Sequence, residues 1–269
     1  MFARALYIFL GIFSVALLAF FYYYEAEEYA IYALIPVILG AICFILAPQI
    51  NWWYYEKNPP KADEDLRKIL GARSEFYRRL SEDDKQEFER RTMLFIMAKQ
   101  FTPKVHDEVP EDMKAIIAAS AVQLTFRQKT DWLFDEYETF IIYPHPFPTP
   151  QHEAWHVAET YAEDGVMLFS AEHLLHGFFE PLKYYQIALH EFAGAFIDKN
   201  PDVSKVDFGQ NPWQNFQRIS NFSEEKIKAY IGLENVRPEA VGVTLFFTHR
   251  AYFAQHLPEA FKALQKIFG

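Results

Sequence analysis

Two long stretches without a charged side chain limit what the N-terminal part of this chain can become. Residues 6–23 are nearly continuous apolar sequence, and residues 30–48 form a second such run. Crossing the hydrocarbon core of a bilayer takes about 20 apolar residues in a helix, so each run is long enough. Tyr22-Tyr23-Tyr24 and Trp52-Trp53-Tyr54-Tyr55 supply aromatic side chains at the expected interfaces. Pro36 lies near the start of the second run, where a membrane helix tolerates it. The joining segment Glu25-Ala26-Glu27-Glu28 is acidic, Arg4 precedes the first run, and Lys57, Lys61, Arg67 and Lys68 follow the second. By the positive-inside tendency both termini face the cytoplasm and the hairpin tip faces out. A cleaved signal peptide is the alternative, but no small-residue cleavage site is evident and a second span follows at once. A buried soluble hairpin is argued against by the uncharged length. The expectation is a multi-pass anchor in the inner (cytoplasmic) membrane over residues 1–57, with the rest of the chain in the cytoplasm.

The remainder of the 269 residues is long enough for one substantial core. Net charge is −10, which argues against a nucleic-acid partner. Cys43 is the single cysteine, so neither an intrachain disulfide nor a thiolate zinc site can form. Asn58-Pro59-Pro60-Lys61 reads as a stiff linker, and residues 58–74 as that linker plus a juxtamembrane helix. A helical pattern covers residues 62–80, with Gly71 as a candidate break. Ser81 reads as the N-cap of the next helix, with Glu82, Asp83 and Asp84 in its first turn and Phe88, Met93, Phe95, Ile96 and Phe101 on its apolar side. Another helix starts at Pro110. Residues 139–143 and 165–170 read as strands, with a Pro- and His-rich loop between them. Helices follow over 182–197, 213–219, 223–231, 238–253 and 258–268. Few short strands among many helices indicate an α+β domain, mainly helical with a small sheet.

Two stretches bear on chemistry. His190-Glu191-Phe192-Ala193-Gly194 lies in the apolar run 184–197, which reads as a buried helix. In a zinc-peptidase helix, His-Glu-x-x-His places two imidazoles one turn apart on the metal, and the Glu activates water. Here Gly194 stands where the second His belongs. Glycine cannot ligate, and inside a helix it costs about 1 kcal/mol relative to alanine. Glu239, on a later helix, is placed to complete a site; the alternative is a core histidine bonded to a backbone carbonyl, with Glu191 its partner. A literal match occurs at His152-Glu153-Ala154-Trp155-His156, readable as a zinc helix begun at Thr149-Pro150 with Glu159 or a later residue as third ligand. Its polar, Pro-rich surroundings instead suggest a surface loop or short exposed helix, whereas catalytic zinc helices pack into cores. His173 and His176, at helical spacing, are candidate substitute ligands, against the reading of a partly exposed helix face. His249 lies on the Glu239 helix but nearly three turns along.

Several stretches together resemble one family. They are Phe140-Ile141-Ile142-Tyr143-Pro144, Gly165-Val166-Met167-Leu168-Phe169-Ser170, Ile187-Ala188-Leu189-His190-Glu191-Phe192-Ala193, Pro238-Glu239-Ala240-Val241-Gly242-Val243, and the segment from Leu257-Pro258-Glu259 to Phe268. In this order and spacing, over roughly residues 75–269, the chain resembles the MtfA (Mlc titration factor A) zinc metallopeptidases, related in their catalytic region to the anthrax lethal factor protease. The resemblance implies a zincin-like (gluzincin) domain over 75–269 and zinc as cofactor. It further implies His190 as first ligand, Glu191 as general base, Glu239 as third ligand and Tyr230 as a donor to the oxyanion. It puts the His152 motif in a loop before the active-site strand, away from the catalytic zinc. With Gly194 in the second ligand position, the reading is a membrane-anchored member whose metal site is degenerate and which works by binding or regulation. A peptide or protein segment in the cleft would be its ligand. The alternatives are an active zinc peptidase with Glu191 as base and a substitute ligand, or a scaffolding membrane protein with no site.

Overall fold

The computed structural model describes residues 2–105, 107–130 and 132–269. The chain separates into two compact units, one up to Pro60 and one from Lys61 to Gly269.

The first unit is built from α1 (Phe2–Tyr23), a 3-10 segment (Glu27–Ala33), α2 (Leu34–Ile45) and α3 (Ala47–Lys57). Two stretches, Phe2–Tyr23 and Glu28–Ile45, are long and apolar enough to cross a membrane. Many of their apolar side chains are exposed, Ile12, Val15, Phe44 and Ile45 among them. The polar Ser14 is turned inward, its hydroxyl donating to the Ala33 carbonyl at 2.6 Å, as an apolar surrounding demands. The second apolar run is not one helix. It opens with a 3-10 segment and breaks at Leu46, where Pro48 restarts the chain as a first-turn residue of α3.

The second unit begins with α4 (Glu64–Arg73), α5 (Glu75–Arg79) and α6 (Glu82–Ala98). The break falls at Ser74 and not at Gly71, because the Ser74 hydroxyl accepts from the Tyr77 N–H at 3.1 Å and starts a new helix. Then come β1 (Gln100–Pro103), α7 (Glu111–Thr125), β2 (Thr139–Tyr143), β3 (Ala158–Tyr161), β4 (Val166–Ser170) and α8 (Ala171–Phe179). The chain ends in α9 (Ile187–Lys199), α10 (Pro201–Ser204), α11 (Pro212–Ser220), α12 (Glu224–Ile231), α13 (Pro238–Thr248), α14 (Arg250–His256) and α15 (Pro258–Phe268). The sheet runs β1-β2-β4-β3, with β1, β2 and β4 parallel and β3 antiparallel at the edge. This is the small sheet among helices that the sequence indicates.

Three elements differ from the sequence expectation. Phe101 lies in β1 and not on a helix face, since α6 stops at Ala98. The helix expected from residue 182 begins only at Ile187, after a turn over 181–184. The helix expected over 238–253 is divided at His249 into α13 and α14. The core wraps around α9, whose Phe192 is fully buried against Phe95, Phe134 and Phe140. Helices α7 and α13 pack along its sides.

Candidate functional site

An apolar helix packed on three sides must present its few polar groups on the remaining one. On α9 these are His190, Glu191 and Asp198, which together with Gly194 face a cleft of about 710 Å³. The opposing walls come from β3, from the loop before it, and from the segment running from the end of α12 to the start of α13.

His190 is 8% exposed, and its Nδ1 lies 2.8 Å from the buried Tyr185 hydroxyl. Burial, helped by the Arg237 charge, pushes its pKa down to about 4, so the ring is neutral at pH 7. Glu191 accepts a hydrogen bond from the Thr160 hydroxyl at 2.6 Å. Burial nonetheless pushes its pKa up to about 7, against the Thr160 hydrogen bond and with a further push from the Glu159 charge. The carboxyl is thus poised to gain or lose a proton near neutrality. At Gly194 no heavy atom beyond the adjoining residues and backbone of its own helix lies within 4 Å of where a Cβ would be. The position one turn beyond His190 is open space in the cleft wall.

Glu239 sits half-buried in the first turn of α13. Its neighbours Arg237 and Ala240 line the cleft, but Glu239 does not. Among the described residues no three His, Cys, Asp or Glu side chains are grouped so as to hold a metal ion. With Gly194 offering no donor and Glu239 outside the wall, the residues present do not fit a three-ligand catalytic zinc.

Tyr230 is also outside the cleft wall, although Ile231 and Gly232 beside it are part of it. Its hydroxyl is buried without a hydrogen-bond partner among the described residues, and burial pushes its pKa up. The ring lies 5.1 Å from that of His173. His173 is held by Ser170 Oγ at 3.0 Å and His176 stacks on Tyr184 at 4.7 Å. Neither lines the cleft. His249 is buried, its Nδ1 at 2.9 Å from Thr248 Oγ1.

The literal motif does not form a helix; residues 151–157 are loop. Its two histidines converge on one carboxylate. Glu159 Oε1 lies 2.6 Å from His152 Nδ1, and Oε2 lies 3.1 Å from His156 Nε2 and takes the Tyr161 hydroxyl at 2.9 Å. The other His156 nitrogen faces the Ala154 carbonyl at 2.8 Å. Both ring nitrogens of this fully buried histidine therefore face oxygens. Burial acts to raise the Glu159 pKa, but hydrogen bonds from Thr149, His152 and Tyr161 and the His156 charge hold it below the usual range. This cluster fastens the loop as one wall of the site, and His152, Glu153 and Glu159 line the same cleft as His190. The two motifs kept apart in the sequence share one cavity.

Sequence reasoning missed Thr160, Tyr185 and the Arg237–Asp198 pair, which closes at 2.5 Å beside the cleft. One signal was available. Asp164-Gly165 ahead of an apolar strand marks a hairpin, and so a strand before it. Gly165 takes φ +67, and a Cβ there would lie 2.8 Å from the Glu136 carbonyl.

The family model described as glucose-regulated metallo-peptidase M90 matches residues 50–269. No curated protein matches the chain.

Proposed function

The chain belongs to the glucose-regulated metallo-peptidase family, and from that premise we propose that its cleft binds a peptide or protein segment without hydrolysing it. The carrying observation is Gly194, open to the cleft where a second ligand would stand, with no three metal-capable side chains grouped among the described residues. Two protein ligands or fewer hold zinc weakly and leave its water poorly positioned. The cavity itself is intact and of a size that takes several side chains. Its wall includes Glu159 and Thr160 of the edge strand β3, along which an extended peptide can lie. The two apolar N-terminal helices support a membrane anchor, and the charge pattern around them supports an inner-membrane protein with the second unit in the cytoplasm.

An active zinc peptidase is the second reading. The observation in its favour is Glu191, whose carboxyl, poised near pH 7 and steadied by Thr160, suits a general base. The full chain in detergent, incubated with a peptide mixture and added zinc, separates the two. Binding without cleavage, by wild type and by Glu191→Gln alike, is expected. Cleavage that Glu191→Gln abolishes would overturn the binding reading.

A further inference from the structure

The cleft is unevenly charged. Glu153, Glu159, Glu191, Asp198 and Glu234 line it against a single arginine, Arg237. Two of those carboxylates are engaged, Asp198 by Arg237 at 2.5 Å and Glu159 by hydrogen-bond contacts with His152 and His156. Glu153 and Glu234 are exposed, and no ion pair among the described residues compensates either. Deeper in, His190 is more than nine-tenths buried, its Nδ1 taken by Tyr185. Its Nε2 has no partner among the described residues and is the polar atom this ring offers the cavity. Ile231, Leu233, Val236 and Ala195 give the same cavity an apolar lining that suits the methylene stem of a long side chain. The chain as a whole carries −10, so its field adds to the local one.

We infer that the cleft takes a basic peptide, one lysine or arginine side chain entering toward Glu191 and His190 while flanking positive charge meets Glu153 and Glu234. This rests on the binding reading above and names the chemistry of its ligand. A cation entering a partly dehydrated, carboxylate-lined cavity gains more than one at an open surface. Among the described residues that line the cleft, Arg237 is the lysine or arginine it must approach.

The test uses the full chain in detergent and three fluorescent peptides of equal length, alternating alanine with lysine, glutamine or glutamate. Fluorescence anisotropy at low and high salt is the readout, with spermine as competitor. The lysine peptide is expected to bind about tenfold tighter than the glutamine peptide and to lose that margin at high salt. Glu153→Gln with Glu234→Gln is expected to weaken it about fivefold. Arg237→Gln, which frees Asp198, is expected to tighten it. Gly194→Phe, which fills the open space on α9, is expected to abolish binding of every peptide. Equal binding of all three peptides that Gly194→Phe still blocks would overturn the charge inference and leave the binding reading standing. Peptide binding untouched by a folded Gly194→Phe would overturn the binding reading itself. Spermine displacing the lysine peptide at equal concentration would overturn the peptide part of the inference. Weaker binding in Arg237→Gln would contradict the charge argument even if the Gly194 variant failed to fold.

Discussion

Gly194 and Gly177 lie on neighbouring helices under opposite constraints. A Cβ at Gly177 would lie 2.5 Å from the Tyr185 carbonyl, while one at Gly194 would meet nothing within 4 Å beyond the adjoining residues and backbone of its own helix. Gly194→Ala is therefore expected to stabilise by about 1 kcal/mol through backbone entropy and helix propensity. That is a rise of about 2–4 °C in Tm for a domain of this size. Gly177→Ala is expected to lower it, and calorimetry of both variants checks the pair. A second residue-level test is His249, whose pKa burial pushes down to about 4. The sign follows from linkage. The unfolded ring protonates at its ordinary value of about 6.5, the folded one only near 4, so stability is complete above 6.5 and falls as pH drops from there to 4. The loss is on the order of 2 kcal/mol, and His249→Leu is expected to lack it in urea titrations across that range. His190, Glu191 and Gly194 were legible as a group because helical spacing puts them on one face. Tyr185 was not, because its contact with His190 depends on where α9 starts.

At β3 and its preceding loop, a four-residue strand and a loop carry the wall of the cleft. The loop is pinned at its end by Glu159 and beside α12 by Gly232. There, a Cβ would lie 2.2 Å from the Trp155 carbonyl and the backbone takes φ +85, so only glycine fits. Removing the shared carboxylate strands two imidazoles and a phenol. Glu159→Ala is expected to cost about 2 kcal/mol and to open residues 147–157 to protease. Denaturation and limited proteolysis check both, and a loop as resistant as wild type would show the cluster to be dispensable. Long helices were legible from apolar periodicity and caps, as Ser81 shows by accepting from the Asp84 N–H. Residues 158–161 were not, because Ala-Glu-Thr-Tyr is too short and too polar to carry a period. Its strand identity comes from pairing with β4. The literal His152 motif was legible as a segment outside the buried helices because its surroundings are polar and Pro-rich. Its spacing suits a helix, but a bridge between Phe147 and His156 holds the segment as a loop.

At the scale of the whole molecule, the second unit has its own buried core, running from Ala62 to Phe268. Residues 61–269 alone are expected to melt cooperatively within a few degrees of the same transition in the full chain. Circular dichroism checks this, and a broad, non-cooperative melt would contradict a self-sufficient second unit. Removing 2–57 is expected to shift the protein from the membrane fraction to the supernatant on centrifugation. Family membership and the mainly helical class were legible because they rest on many ordered stretches. The gap at Gly194 was legible as well, whereas the absence of Glu239 from the cleft lining was not, because it depends on how α13 packs.

Zinc content decides the matter most directly. The full chain is purified in detergent, without chelator or histidine tag, and zinc is measured by mass spectrometry for wild type, His190→Ala and Gly194→His. A non-hydrolytic cleft requires wild type to hold well under one zinc per chain, unchanged by His190→Ala, with more retained when Gly194→His restores a second imidazole. About one zinc per wild-type chain, lost on His190→Ala, would contradict it and make this an intact metal site.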